Sequence, residues 1–216
     1  MVAIIRGPLE KVDEHQSRCP VERAILVFIG DYIDRGPSSR EVLDVLVECS
    51  KSHESVFLKG NHEIFISGFL QDPAVLYGWR TCGGLETLLS YGLKPSFSPD
   101  EMEQRTLAEQ LARAIPSDHV AFLQSLRLFF VCGDFLFVHA GIRPNVPLER
   151  QDERDLLWIR EEFLNHERPF QFFVVHGHTP VRAPEVRFNR VNIDTGAFAT
   201  GRLTCVAIEG STIAPL

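Results

Sequence analysis

Two short loop-forming strings constrain this chain more than anything else in it: Gly-Asp-Tyr-Ile-Asp-Arg-Gly at 30–36 and Gly-Asn-His-Glu at 60–63. Each comes directly after an apolar run, Ala24–Ile29 and Ser55–Leu58, whose β-branched and aromatic content reads as a buried strand. Between them, Ser39–Cys49 carries Val42, Leu43, Leu46 and Val47 at helical spacing behind a Ser cap. Strand, loop, helix, strand, loop is the alternation of an α/β layered fold, with polar loops at the ends of neighbouring strands.

The rest of the chain continues the pattern. Leu9–Ser17 reads as a short helix stopped before Pro20, and Ile64–Leu126 as mostly helical, punctuated by Gly83-Gly84, Lys94–Pro99 and Pro116. Leu128–Cys132 and Phe135–His139 flank Gly133-Asp134, which predicts a hairpin. Asp155–Asn165 reads as one helix; Phe172–His176, Glu185–Phe188, Arg190–Ile193 and Leu203–Glu209 read as strands. No repeat or linker divides residues 1–216, so a single domain is expected. The net charge of −7 with no Lys/Arg cluster argues against binding nucleic acid, while bound cations would still admit a phosphorylated substrate. The five cysteines are scattered and form no C-x-x-C pair, and no apolar run approaches membrane-spanning length. Reduced thiols, no membrane partner and a cytoplasmic location are therefore the expectation.

The polar residues at the strand ends form a chemical set. Hydrolysis of a phosphoester at neutral pH is served by Lewis-acidic cations, which hard oxygen and imidazole ligands hold. Asp31, after the first strand, is placed to bridge two cations, and Asn61 offers an amide oxygen one strand away. His139 ends the third strand and His178 follows the fourth, so four ligands stand at four strand ends. His62 points away from Asn61 and is free to act as a general acid, with Asp34 holding its other ring nitrogen. Arg35 is suited to grip phosphate in bidentate fashion, and Arg160, on the Leu-Leu-Trp-Ile-Arg stretch, to supply a second clamp.

Gly30–Gly36, Gly60–Glu63, Val138-His-Ala-Gly141 and Gly177-His-Thr179 resemble, in order, the later motifs of the phosphoprotein phosphatase group of calcineurin-like metallophosphoesterases. That group includes serine/threonine protein phosphatases and diadenosine tetraphosphate hydrolases. The resemblance implies a β-sandwich flanked by helices and a binuclear site of manganese, iron or zinc. It implies that Asp31 bridges, that Asn61, His139 and His178 hold the second metal, that His62 with Asp34 is the acid and its partner, and that Arg35 and Arg160 are phosphate clamps. Asn192–Gly196 resembles the family's closing strand and turn. The family opens with a strand and Gly-Asp-x-His-Gly; here Met1–Ile5 resembles the strand, but Arg6-Gly7-Pro8 follows. The fold is thus expected to be N-terminally shortened, with first-metal binding weak at most. Asp13-Glu14-His15 is the one Asp-x-His string, placed in the Leu9–Ser17 helix.

Other residues read more plainly. His15, His53, His119 and His166 are expected to be satisfied surface or core residues, His176 a neighbour of the site, Arg143 a phosphate contact or a loop tie, and Trp79, Tyr91, Phe129 and Phe130 core. The leading functional expectation is a manganese-dependent serine/threonine protein phosphatase. The alternatives are a diadenosine-polyphosphate hydrolase and a catalytically impaired binding remnant or incomplete gene product, with a phosphorylated protein or a dinucleotide as partner.

Overall fold

The computed structural model describes residues 2–216, with side chains from Arg6 onward. In chain order the elements are α1 (Val2–Arg18), β1 (Leu26–Phe28), α2 (Ser39–Ser52), β2 (Ser55–Phe57), α3 (Glu63–Gln71), α4 (Leu76–Thr81), α5 (Gly84–Ser90), α6 (Glu101–Ala114) and α7 (Ser117–Ser125). There follow β3 (Phe129–Cys132), β4 (Phe135–Val138), α8 (Glu153–Trp158), α9 (Glu161–Leu164), β5 (Phe173–His176), β6 (Glu185–Val186), β7 (Arg190–Asn192), α10 (Ala197–Thr200), β8 (Val206–Glu209) and β9 (Thr212–Pro215). The result is an α/β fold with mixed sheets, gathered into two compact units.

The sheet unit comprises Ala3–Ile29, Glu54–Lys59 and Arg127–Leu216. In it β1 and β2 run parallel, with Val27 opposite Val56, and Leu58 continues the pairing through a bridge to Arg127. The larger sheet has the order β3-β4-β5-β7-β6, parallel at its centre and antiparallel at both edges. Parallel central strands are covered on both faces, which is why Val174, Val175 and His176 are buried in succession. Around Leu136, Val138 and Val174 the core gathers Ala140, Leu156 and Phe163. Because β4 and β5 run the same way, with Phe137 opposite Val175, the chain leaves both at the same edge of the sheet. His139 follows β4 directly and His178 lies two residues beyond β5.

The helical unit comprises Gly30–His53 and Gly60–Leu126, and its described residues contain no strand. Its interior holds Leu43 and Leu46 from α2, Ile66 and Phe69 from α3, Trp79 from α4, Leu88 from α5 and Leu111 from α6, all fully buried. The 30–36 and 60–63 strings belong to this unit and follow on from β1 and β2.

Four expectations are corrected. Val2–Ile5 is helical, continuing α1, and Met1 lies outside the described residues. A strand requires a neighbour to complete its ladder, whereas extending an existing helix adds a hydrogen bond for each residue fixed. The Ser cap of α2 is absent: Ser38 makes no capping bond, and the Ser39 hydroxyl accepts the Asp34 N–H instead. The helix expected over Asp155–Asn165 is two, α8 and α9, broken at Ile159–Arg160, where Arg160 takes the non-helical angles φ −133°, ψ −96°. Finally, β8 starts later than expected, at Val206, and pairs with β9, an additional strand.

Candidate active site

In the helical unit the 30–36 loop is built from strained backbone. Asp31 (φ 61°), Asp34 (φ 71°) and Arg35 (φ 56°) all lie in the left-handed region that side chains disfavour. Such residues cost about 1–3 kcal/mol each and persist only where their surroundings overdetermine them. Most of the bonds that do so come from distant parts of the sequence. The Glu63 carboxylate, 2% exposed, accepts the backbone N–H groups of Asp31 (3.0 Å), Tyr32 (2.8 Å) and Gly60 (2.7 Å). Ser39 and Thr87 hydroxyls accept the Asp34 N–H, and the Gly83 carbonyl accepts that of Arg35 at 3.1 Å. The two loops press so closely that a Cβ at Gly60 would lie 2.2 Å from Asp31 Oδ1, which only glycine avoids.

This frame holds Asp34 and His62 against each other. Both are buried, with Asp34 Oδ2 2.7 Å from His62 Nδ1. The Asp34 carboxylate also accepts the Trp79 indole N–H (2.9 and 3.0 Å) and the Thr87 hydroxyl (2.6 Å). Burial works to lower the His62 pKa, but the Asp34 hydrogen bond and the charges of Asp31 and Asp34 outweigh it and raise the value above that of an ordinary imidazole. The exposed Asp31 carboxylate accepts the His62 backbone N–H at 3.3 Å, and buried Asn61 lies between Gly60 and His62 in the second loop. Arg35 is exposed.

In the sheet unit, His139 and His178 are buried, their rings in edge contact with centroids 5.1 Å apart. Each offers a ring nitrogen within 4.8 Å of the other's. His139 Nδ1 donates to the Ile29 carbonyl at 2.7 Å, so Nε2 is the unprotonated nitrogen, the form in which imidazole ligates a metal. Ile29 is two residues before Asp31. His178 also sits at positive φ, 65°, and Arg160 Nε donates to its Nε2 at 3.3 Å. The two imidazoles of the sheet unit are donors of a kind that suits a divalent cation of manganese, iron or zinc type.

The remaining candidates fall out of the chemistry. Arg143 forms a two-pronged ion pair with Asp155 (2.6 and 2.7 Å) and bonds Gln151 through its backbone, so it ties its own loop. His176 turns into the core, its ring edge-on to Phe163 at 4.9 Å, and burial pushes its pKa down to about 4. Trp79 and Tyr91 are buried, while Phe129 and Phe130 are half-buried. Asp13 and His15 lie on α1, and among the described residues no cluster of three His, Cys, Asp or Glu includes them. Sequence reasoning missed the positioning roles of Glu63, Thr87 and Trp79. Glu63 at least stood inside a recognised string, but Thr87 and Trp79 are 53 and 45 residues from Asp34 and carry no local signal.

Residues 6–203 match the calcineurin-like phosphoesterase family. A bis(5'-nucleosyl)-tetraphosphatase PrpE [asymmetrical] of Bacillus thuringiensis (strain Al Hakam) is 31% identical over 201 residues, 84% of this chain and 74% of that protein. A protein of the same name from Anoxybacillus flavithermus is 27% identical over 198 residues, again 84% of this chain and 74% of the relative. The crystal structure of a candidate diadenosine tetraphosphatase has the same fold, with a TM-score of 0.61 and 22% identity over 99% of this chain and 88% of that one. None of the described helices is long and apolar enough to cross a membrane.

Proposed function

The chain belongs to the calcineurin-like phosphoesterase family, and from that membership we propose that it is a metal-dependent hydrolase of dinucleoside tetraphosphates. It would split them asymmetrically, with water, into a nucleoside triphosphate and a nucleoside monophosphate. The observation that carries this reading is the 31% identity, over 84% of the chain, to a relative named for that reaction. It takes precedence over the phosphoprotein reading, the leading expectation from the motifs.

Asp31, Asn61, His139 and His178 would hold the divalent metal, most simply manganese. When bound, it supplies Lewis-acid activation of water and neutralises charge on the phosphoryl oxygens. Asp34 holds the Nδ1 proton of His62, so that Nε2 delivers a proton to the departing phosphate oxygen. The raised His62 pKa favours the protonated imidazole. Arg35 and Arg160 carry permanent positive charge and donor forks suited to the phosphate chain.

A second reading, hydrolysis of phosphoserine or phosphothreonine in proteins, is favoured by one feature, the Asp34-Arg35-Gly36 extension of the first loop with its His62 partner. A third reading is a folded protein that binds such a phosphate compound without hydrolysing it. Initial rates with diadenosine tetraphosphate and with a phosphothreonine peptide, both with added manganese, separate the three. A higher kcat/KM for the dinucleotide is expected. Turnover of the peptide alone selects the second reading, and turnover of neither selects the third.

A further inference from the structure

His119, on α7, is fully buried with both ring nitrogens engaged. Its Nε2 lies 2.9 Å from the carboxylate of Asp44 on α2, and its Nδ1 2.8 Å from the hydroxyl of Tyr91, which ends α5. A carboxylate only accepts, so Nε2–H is the donor to Asp44. Burial, with the Asp44 charge behind it, holds the Tyr91 phenol well above its usual range, so the hydroxyl keeps its proton and donates to Nδ1. The bonds therefore run in one direction, from Tyr91 through His119 to Asp44 at the surface.

The two helices joined in this way are the two that hold Asp34. Ser39 of α2 and Thr87 of α5 both accept the Asp34 N–H, their hydroxyls stand 3.1 Å apart, and Thr87 also donates to the Asp34 carboxylate. Tyr91 follows Thr87 by about one helical turn and donates its N–H to the Thr87 carbonyl at 3.3 Å. Nearby, the Arg40 N–H of α2 donates to Ser90 Oγ of α5 at 3.2 Å, and the Arg40 guanidinium lies over the Tyr91 ring. An apolar side chain would fill the His119 position without the cost of burying two polar nitrogens. It would not fix a distance, because directional bonds specify one arrangement where apolar packing tolerates several.

We propose that His119 is a positioning residue for the Asp34–His62 pair. With Tyr91 and Asp44 it sets the spacing of α2 and α5, and through Ser39 and Thr87 the place of the Asp34 carboxylate against His62 Nδ1. The inference rests on the hydrolase reading only in taking His62 as the proton donor.

The test compares the wild type with Tyr91→Phe and Tyr91→Phe/His119→Leu. Proton NMR of the EDTA-treated protein follows the low-field resonance of the His62 Nδ1 proton, assigned by its loss in His62→Asn. Thermal melting and the kinetics of diadenosine tetraphosphate hydrolysis with manganese are measured alongside. Tyr91→Phe leaves His119 Nδ1 without its donor and should lower the melting temperature, whereas the double variant, apolar at both positions, should recover most of that loss. In both variants the His62 resonance is expected to move upfield and kcat to fall about three- to tenfold with KM unchanged. A double variant with the wild-type resonance and the wild-type kcat would make His119 a packing residue and overturn the proposal. If the double variant does not fold, the same result in Tyr91→Phe overturns it. A shifted resonance in the variants, with no dinucleotide cleaved by the wild type, leaves the positioning role standing while the hydrolase reading falls.

Discussion

The helical unit and the sheet unit hold their candidate residues by different means. In the helical unit, Asp31, Asp34 and Arg35 occupy disfavoured backbone angles; buried side chains 5–53 residues away hold Asp31 and Asp34, and the Gly83 carbonyl holds Arg35. In the sheet unit, His139 and His178 simply follow neighbouring parallel strands, and of the two only His178 is at positive φ. Strand geometry places the imidazoles; a network of polar bonds places the carboxylates. The first kind of placement survives most single substitutions outside the core, whereas the second fails when one partner of the network is removed.

Loss of metal should have the largest effect. Dialysis against EDTA is expected to abolish turnover, and added manganese to restore it. Turnover that survives exhaustive EDTA dialysis would remove the metal from the reaction. Next, His62→Asn should lower kcat by about 10²–10⁴-fold on an alkyl phosphate such as a phosphothreonine peptide. The loss should be smaller on a dinucleoside tetraphosphate, because a phosphate leaving group needs protonation less than an alkoxide does. Equal losses on both substrates would remove His62 as the proton donor.

Two substitutions then compare the units directly. Glu63→Gln replaces an acceptor of three backbone amides and should cost about 2–3 kcal/mol in urea denaturation, with a parallel loss of kcat. Phe163→Leu, in the sheet unit, thins the packing beside Gly141 and His176 and should cost about 1–2 kcal/mol with a smaller change in kcat. If Phe163→Leu were the more damaging to kcat, the contrast between the two modes of placement would be wrong. Smallest of all, Arg160→Ala should raise KM about tenfold, a loss of about 1.4 kcal/mol of binding, with little change in melting temperature, since the side chain is exposed.

What the sequence made legible follows the same divide. The strands before Asp31 and Asn61, the 129–138 hairpin and the helical stretch from 64 to 126 all announce themselves through local periodicity and turn residues. So do the loops that carry chemistry, because their residue types are unusual for loops. The break at Ile159–Arg160 does not, since neither glycine nor proline marks it and the Leu156–Phe163 spacing continues a helical period. Nor do the bonds that hold Asp34. Ser39 looked like a helix cap because serine at that position usually is one; a backbone amide of the strained loop claims its hydroxyl instead. Long-range polar contacts of that kind leave no periodic trace.

Product analysis tests the central claim most directly. Diadenosine tetraphosphate incubated with the manganese-loaded protein and resolved by anion-exchange chromatography should yield ATP and AMP in equal amounts. Two molecules of ADP, or an intact dinucleotide beside a dephosphorylated phosphothreonine peptide, would contradict the account.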